Sequence, residues 1–389
     1  MTNRNAVILV VDDVLENRDL LTRRLQRLGF SAIDQAVNGV EALAAIAAKA
    51  YDLVLLDIMM PELDGFGVLE ALKTDGRIYD LPVVVISALN EIDPIVRCVE
   101  LGADDFIFKP FNPTLLRARV LATLEKKQMR DLMREELRRK QSELNEARAL
   151  QLSLVPPRFT GTVSGRQLTI DVTLEPAKEV GGDLVDHFSI GSGLVVLVLG
   201  DVSDKGAGAA LMMARTHAMV RSLASRPDAA ELFAAPERAV GLVNAALAEA
   251  NSSCMFVTFL LATLHVESGR LAYVLAGHVP PFLRHADGTL TRLAHLSGPP
   301  LGLDESASHR AETVVLAPGD RLLVVTDGFT EAHDPAGALY GDQRVAAFVA
   351  SLALSEPDPL RRLLDEIRQF EAGRPASDDT AAILLSLGT

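Results

Sequence analysis

The chain has 389 residues, nearly half of them hydrophobic, with no Trp and few aromatics, so its cores must be built from Leu, Val, Ala and Ile. At roughly 100–200 residues per domain this length predicts two or three domains. A formal net charge of -14 argues against broad nucleic-acid or anionic-membrane binding, which needs a basic face, and it suits acidic sites that hold divalent cations. Cys98 and Cys254 have no metal-ligand spacing, so reduced thiols and a cytoplasmic location are expected. The first apolar run, AVILVV, stops at Asp12 and Asp13, which is too short for a signal peptide or a membrane span.

In chain order, VILVV, SAIDQA, YDLVLLD, LPVVVIS and DFIFKP read as five strands. Between them LENRDLLTRRLQRLG, GVEALAAIAAKA, FGVLEALKTD and IVRCVELGA carry helical periodicity. This alternation predicts a parallel sheet covered on both faces, with functional groups at the C-terminal strand ends. From about Leu121 to Leu152 the chain has no Gly or Pro and is dense in charge, predicting one long helix ended by Pro156 and Pro157. Met133, Leu137, Leu144, Ala147 and Leu154 fit an a/d seam for a dimeric coiled coil, interrupted by Lys140 and Gln151. A solvated spacer helix with charge pairs one turn apart is the alternative. Beyond residue 160, LTIDVTL, GLVVLVLGDVSD, FVTFLLATLHVE, GRLAYVLAGH, PPFLRH, ETVVLA, DRLLVVTDG and DDTAAILLSL read as strands. Grouped helices, GAALMMARTHAMVRSLA, ERAVGLVNAALAEA, QRVAAFVASLA and LRRLLDEIRQFEA, accompany them. The expected division is 1–122, 123–157 and 160–389, all within the α/β class.

In the first domain, Asp12 and Asp13 end strand one, Asp57 ends strand three, Ser87 ends strand four and Lys109 ends strand five. Three carboxylates meeting there would repel unless a divalent cation neutralised them. Mg²⁺ suits carboxylate ligands and leaves positions for water and a phosphate. The motifs VVDD, LLDIMMPELDGF, VISA and GADDFIFKPF resemble the receiver domain of two-component response regulators along the whole region. The resemblance implies a (βα)5 doubly wound fold with Asp57 as phosphoacceptor. It also implies Asp12, Asp13, Asp57 and the Met59 carbonyl as Mg²⁺ ligands, Ser87 as switch hydroxyl, Lys109 as phosphate contact and a cis Lys109–Pro110 bond. Phe106 stands where many members have Tyr, so the aromatic switch would lack its hydroxyl.

In the C-terminal domain an acid beside glycine or another acid recurs at four strand ends: Asp183 in VGGDLVD, Asp201 in LGDVSDKG, Asp327 in VVTDGFTEA, and Asp378 with Asp379 in ASDDTAAILL. Apolar strands preceding these acids would carry them to one edge. Four carboxylates there would call for two divalent ions, a pairing suited to phosphate-ester hydrolysis. GGDL alone also matches a nucleotide-cyclising signature, but the acids that follow do not fit that reading. PAKEVGGDLVD, GDVSDKGAGAALMMA, AGHVPPFL, GPPLGL, PGDRLLVVTDGFTEA and SDDTAAILL resemble the stage-II-sporulation branch of metal-dependent Ser/Thr protein phosphatases over residues 168–387.

That resemblance implies an α/β/β/α sandwich with two Mn²⁺ or Mg²⁺ ions held by Asp183, Asp201, the Val202 carbonyl, Asp327 and Asp378. Asp186, Asp379 and Lys178 are candidates for contacts behind the ligands or with substrate, and His278 is expected to be structural. Asp204 replaces the usual Gly of GDVSGKG and adds charge beside the site.

Together the resemblances imply a response regulator whose output is a phosphatase. A histidine kinase would phosphorylate Asp57, and the substrate would be a phosphorylated STAS-type anti-sigma antagonist. A homodimer is expected, with neither nucleic acid nor membrane as a partner. The alternative is a non-catalytic adaptor that binds a sigma factor or its anti-sigma partner under receiver control.

Overall fold

The computed structural model describes residues 5–88, 92–191, 193–249, 251, 254–293, 298–353 and 356–388. It forms two compact units, Met1–Lys140 and Gln141–Thr389.

In the first unit the elements run β1 (Ile8–Val11), α1 (Leu15–Arg27), β2 (Ile33–Ala36), α2 (Gly39–Ala48), β3 (Leu53–Asp57), α3 (Gly65–Thr74), β4 (Val83–Ser87), α4 (Ile92–Glu100), β5 (Asp105–Phe108) and α5 (Pro113–Leu152). All neighbouring strands pair parallel, in the order β2-β1-β3-β4-β5. The central strands β1, β3 and β4 are buried along their whole length because each face of the sheet is covered. Leu9, Val11, Val54, Leu56, Val83 and Val85 pack with residues of α2, α3 and α4. Ile8, Val10, Leu53, Leu55, Val84 and Ile86 pack with α1 and α5. Each fully buried aliphatic contributes about 1.5–3 kcal/mol, so this double coverage dominates the unit's stability. The doubly wound sheet is as the sequence predicts.

The long helix starts earlier than expected. Asn112 Oδ1 accepts the backbone N–H groups of Thr114 and Leu115, and Pro113 suits the first helical turn. Leu116, Val120 and Leu124 are buried against the sheet. Nothing breaks the helix afterwards, so the fifth receiver helix and the charged spacer are one element. Its last turns belong to the second unit.

The second unit contains β6 (Phe159–Val163), β7 (Arg166–Glu175), β8 (Leu184–Ile190), β9 (Leu194–Val202), α6 (Ala207–Ala224), α7 (Ala229–Ala234), α8 (Pro236–Glu249), β10 (Val257–His265) and β11 (Arg270–Ala276). It continues with β12 (Phe282–Arg284), β13 (Leu290–Arg292), β14 (Glu312–Val315), β15 (Arg321–Val325), α9 (Asp327–Thr330), α10 (Gly341–Ser351), α11 (Pro359–Glu371) and β16 (Thr380–Leu387). Two antiparallel sheets form, β14-β11-β10-β9-β8 and β13-β12-β15-β16-β7-β6. Their inner faces share one core, with Leu197, Leu199, Leu260 and Leu275 from one sheet and Ile170, Leu322, Val324 and Ile383 from the other. Helices α6 to α8 cover the outer face of the first sheet through Met212, Val220, Phe233 and Val243. Phe329, Val345, Phe348 and Leu363 of α9 to α11 cover the second. The result is the expected α/β/β/α sandwich.

Five elements are additional to the sequence reading: the strand β8 after Asp183, with β6, β13, α7 and α9. Consequently Asp183 precedes β8 and the Asp378–Asp379 pair precedes β16, while Asp201 lies near the end of β9 and Asp327 follows β15. The expectation that an apolar strand runs into each acid is corrected for Asp183, Asp378 and Asp379. Antiparallel pairing still gathers them, because the start of β8 lies beside the end of β9 (Leu184 with Gly200) and the start of β16 beside the end of β15 (Ala382 with Val325). Among the described residues no helix is long and apolar enough to cross a membrane.

Candidate functional sites

In the first unit, parallel strands deliver Asp12, Asp57, Ser87 and Lys109 to the same sheet edge. Carboxylate oxygens of Asp12, Asp13 and Asp57 all lie within 4.8 Å of one another, with Asp12 and Asp57 buried and Asp13 exposed. Asp12 Oδ1 accepts from the Val14 N–H and from Asn17 Nδ2, both at 3.0 Å, which orients it from the start of α1. Lys109 Nζ lies 2.6 Å from Asp57 Oδ2 and 2.8 Å from Asp12 Oδ2. Burial raises the Asp57 carboxyl above its ordinary range against the pull of Lys109, and the Asp12 charge adds to the rise. Burial also works against the charged form of Lys109, but its bonds to Asp12 and Asp57 win and hold it protonated. The donor set, three carboxylates facing one ammonium, fits a small hard cation. The Met59 side chain points to solvent, the Lys109–Pro110 bond is cis, and the Phe106 ring packs edge-on to Phe108 at 5.3 Å.

In the second unit Asp183 is fully buried, and its carboxyl is held well above the ordinary range. Burial is the largest cause, followed by the charges of Asp201 and Asp379. Asp201 is pushed up to about 7 by burial and then by Asp327 and Asp378, against a hydrogen bond with Asp183. Asp327 is raised by burial, Glu331 and Asp378. These mutual effects show that acids from four separate chain segments feel one another. Lys205 pairs with Asp378 at 2.9 Å and donates to the Ser377 carbonyl at 2.7 Å. Among the described residues, Asp183, Asp201 and Asp327 have no basic side chain in ion-pair contact. Crowded, poorly neutralised carboxylates of this kind fit a pair of divalent cations.

Asp379 has a different environment from Asp378. Its Oδ1 accepts the Ala177 N–H at 2.8 Å and its Oδ2 the Gly182 N–H at 2.7 Å. The pair thus splits: Asp378 is partly open to solvent beside Lys205, and Asp379 fastens the loop leading to Asp183. Gly328 is required where the Asp379 backbone passes, since a Cβ there would sit 1.8 Å from the Asp379 carbonyl oxygen.

Asp186 faces α6. It lies within β8, buried, and forms a fork with Arg221 of α6, Oδ2 to Nε and Oδ1 to an Nη, both at 2.6 Å. His217 Nε2 lies 3.1 Å from Asp186 Oδ2 without a hydrogen-bonding angle. Asp186 therefore anchors α6 on the sheet. Lys178 is exposed; the cation at the acid cluster is Lys205. His278 is buried, its Nδ1 bonded to the Val279 carbonyl oxygen at 2.9 Å, and burial lowers it to about 4. Sequence reasoning also missed Thr326, whose hydroxyl donates to Asp183 Oδ2, and Gln151, whose amide bonds to Gly181.

Family models match both units: stage II sporulation protein E (SpoIIE) over residues 191–388, and the response regulator receiver domain over residues 8–121. The chain belongs to the SpoIIE family through its second unit and carries a receiver domain in its first. Asp201, Asp327 and Asp378 lie inside the SpoIIE match, and Asp183 lies before it. Among curated relatives, the probable transcriptional regulator ycf27 of Cyanidium caldarium is 40% identical over 124 residues, covering 32% of this chain and 48% of its own length. Protein IcfG of Synechocystis sp. is 29% identical over 224 residues, covering 52% of this chain and 35% of its own length. The chain thus spans about half the length of the ycf27 relatives it matches. The SiaA-PP2C domain of Pseudomonas aeruginosa shares the fold of the second unit, with a TM-score of 0.54 at 18% identity, covering 64% of this chain and 98% of that one.

Proposed function

We propose that the protein is a phosphatase for phosphoserine or phosphothreonine on a protein, controlled by phosphorylation of its receiver. The observation that carries this reading is the convergence of Asp183 and Asp201 from one sheet with Asp327 and Asp378 from the other, three of them with carboxyls raised by burial and by neighbouring acids. These four, with the Val202 carbonyl, would hold two Mn²⁺ or Mg²⁺ ions. Such ions supply an activated water and offset the charge of the transferring phosphoryl group. The chain's own contributions are positional. Thr326 orients Asp183, Asp379 holds the loop before it, and Lys205 keeps Asp378 turned toward the cluster.

In the receiver, a histidine kinase would pass a phosphoryl group from its phosphohistidine to an Asp57 oxygen. Asp12, Asp13, Asp57 and the Met59 carbonyl would hold Mg²⁺. Ser87 and Lys109 would contact the phosphoryl oxygens, and Phe106 would repack without a hydroxyl to bond. The working division is a receiver over 1–122, a linker helix over 123–157 and a phosphatase domain over 160–389, in a cytoplasmic protein. Met133 and Leu137, more than half exposed on α5, support a homodimer through that helix. The family supports a phosphorylated STAS-type anti-sigma antagonist as substrate.

The test is hydrolysis of an aryl phosphate and of a phosphorylated STAS protein by the full chain, with and without Mn²⁺ or Mg²⁺. Turnover should need the metal and vanish in Asp183→Ala; undiminished turnover in that variant removes the assignment. Beryllofluoride on Asp57 should change the rate or the oligomeric state, and identical values of both would remove the receiver coupling.

A further inference from the structure

Gln151 is one of the two residues that interrupt the expected apolar seam of α5, and its environment explains why it is polar. It lies in the last turn of the helix and is buried, 6% exposed. Its Nε2 donates to the Gly181 carbonyl oxygen at 3.0 Å, and its Oε1 accepts the Gly181 N–H at 3.0 Å. One side chain thus satisfies both backbone groups of a single residue, as a neighbouring strand would. Gly181 stands two positions before Asp183. On its other side it is packed so tightly that a Cβ would lie 2.1 Å from Asp379 Oδ2. The next N–H, of Gly182, is bonded to that same oxygen at 2.7 Å.

The loop carrying Asp183 is therefore gripped from two directions, by the Asp379 carboxylate and by the end of α5. Buried backbone groups need partners, so losing Gln151 would leave Gly181 with two unpaired groups, and the loop would relax to find others. We propose that Gln151 is a positioning residue for the acid cluster. The end of α5 fixes the Gly181 backbone, Gly181 fixes the Asp183 carboxylate, and the grip on divalent cation follows. This rests on the two-metal reading of the cluster given above.

The experiment uses the full chain and follows amide hydrogen exchange of residues 179–186 during a Mn²⁺ titration, with the thermal midpoint measured alongside. In Gln151→Met, which keeps the shape and removes the amide, the Gly181 N–H should lose its protection. The Mn²⁺ midpoint should rise about 10–100-fold, the usual effect of removing a group that orients a ligand. Should Gln151→Met not fold, Gln151→Glu, which keeps the acceptor and loses the donor, is read in the same way. A purely structural role would lower the thermal midpoint and leave the Mn²⁺ midpoint in place, and that result overturns the proposal. Asp183→Ala separates the two layers. If it abolishes Mn²⁺-dependent protection while the Gln151 variants behave as wild type, only the role of Gln151 falls. If it leaves that protection intact, the two-metal reading falls and this proposal with it.

Discussion

Thr326 Oγ1 donates a 2.9 Å hydrogen bond to Asp183 Oδ2 and accepts the Ala381 N–H at 2.9 Å, joining the end of β15, the start of β16 and the loop before β8 through one buried hydroxyl. That bond favours the ionised form of Asp183 against burial. Thr326→Val keeps the shape and removes both bonds. We expect about 1–3 kcal/mol of destabilisation from the unpaired Ala381 N–H. The Asp183 carboxyl should rise further, so half-maximal activity should need more metal and the acid limb of the pH profile should move upward. Activity measured against Mn²⁺ at several pH values checks this; an unchanged acid limb would separate Thr326 from Asp183.

Asp201 tests the cost of the cluster. Its folded value is about 7 against an ordinary 3.8, so in metal-free protein it contributes stability present below pH 3.8 and lost as pH rises through 7. A shift of this size corresponds to about 4 kcal/mol at most. Asp201→Asn removes the charge. The metal-free variant should melt above wild type at pH 8 and differ little at pH 4, while activity is lost. Calorimetry in chelator at the two pH values reads the difference, and a lower melting point at pH 8 would contradict it.

Asp378 and Asp379 should respond in opposite ways. Asp379→Ala strips partners from the Ala177 and Gly182 N–H groups, and about 2–4 kcal/mol of stability should go with them. Asp378→Ala relieves repulsion on Asp201 and Asp327, so its metal-free stability should hold or improve while turnover falls. Urea unfolding of the two variants distinguishes them, and equal destabilisation would argue against the split.

The His278 imidazole, lowered to about 4 from 6.5, is neutral when folded and protonated when unfolded between those values. Its contribution to stability is therefore complete above pH 6.5 and is lost as pH falls toward 4, by about 3 kcal/mol. His278→Gln should flatten the stability–pH curve across that window. A curve parallel to wild type would show that His278 does not carry this acid sensitivity.

Much of this was readable from the chain because continuous apolar runs mark strands buried on both faces, and acids at their ends stand out. What escaped was set by partners far along the chain. β8 carries Asp186 and His187 in mid-strand, which breaks the apolar pattern, and Arg221 on α6, with His217 nearby, makes a buried Asp186 tolerable. Thr326 and Gln151 are single polar residues in unremarkable positions, and their roles depend on Asp183 and Gly181. The split between Asp378 and Asp379 is likewise invisible in the letters, since it depends on which carboxylate meets the loop at Gly182. The start of α5 at Pro113 was obscured because composition changes only after Leu121, whereas the helix is continuous.

The antiparallel pairing that sets the starts of β8 and β16 beside the ends of β9 and β15 has a consequence for how the protein matures. Any fragment of the second unit that holds the whole acid set must run at least from Asp183 to Asp378. Contacts between such distant segments form late, after most of the entropy of loop closure has been overcome. A nascent chain not yet extended to Asp378, or one clipped between Asp183 and Asp378, therefore carries scattered acids and no assembled cluster. Assembly of the cluster thereby depends on a second unit that is nearly complete between these two acids.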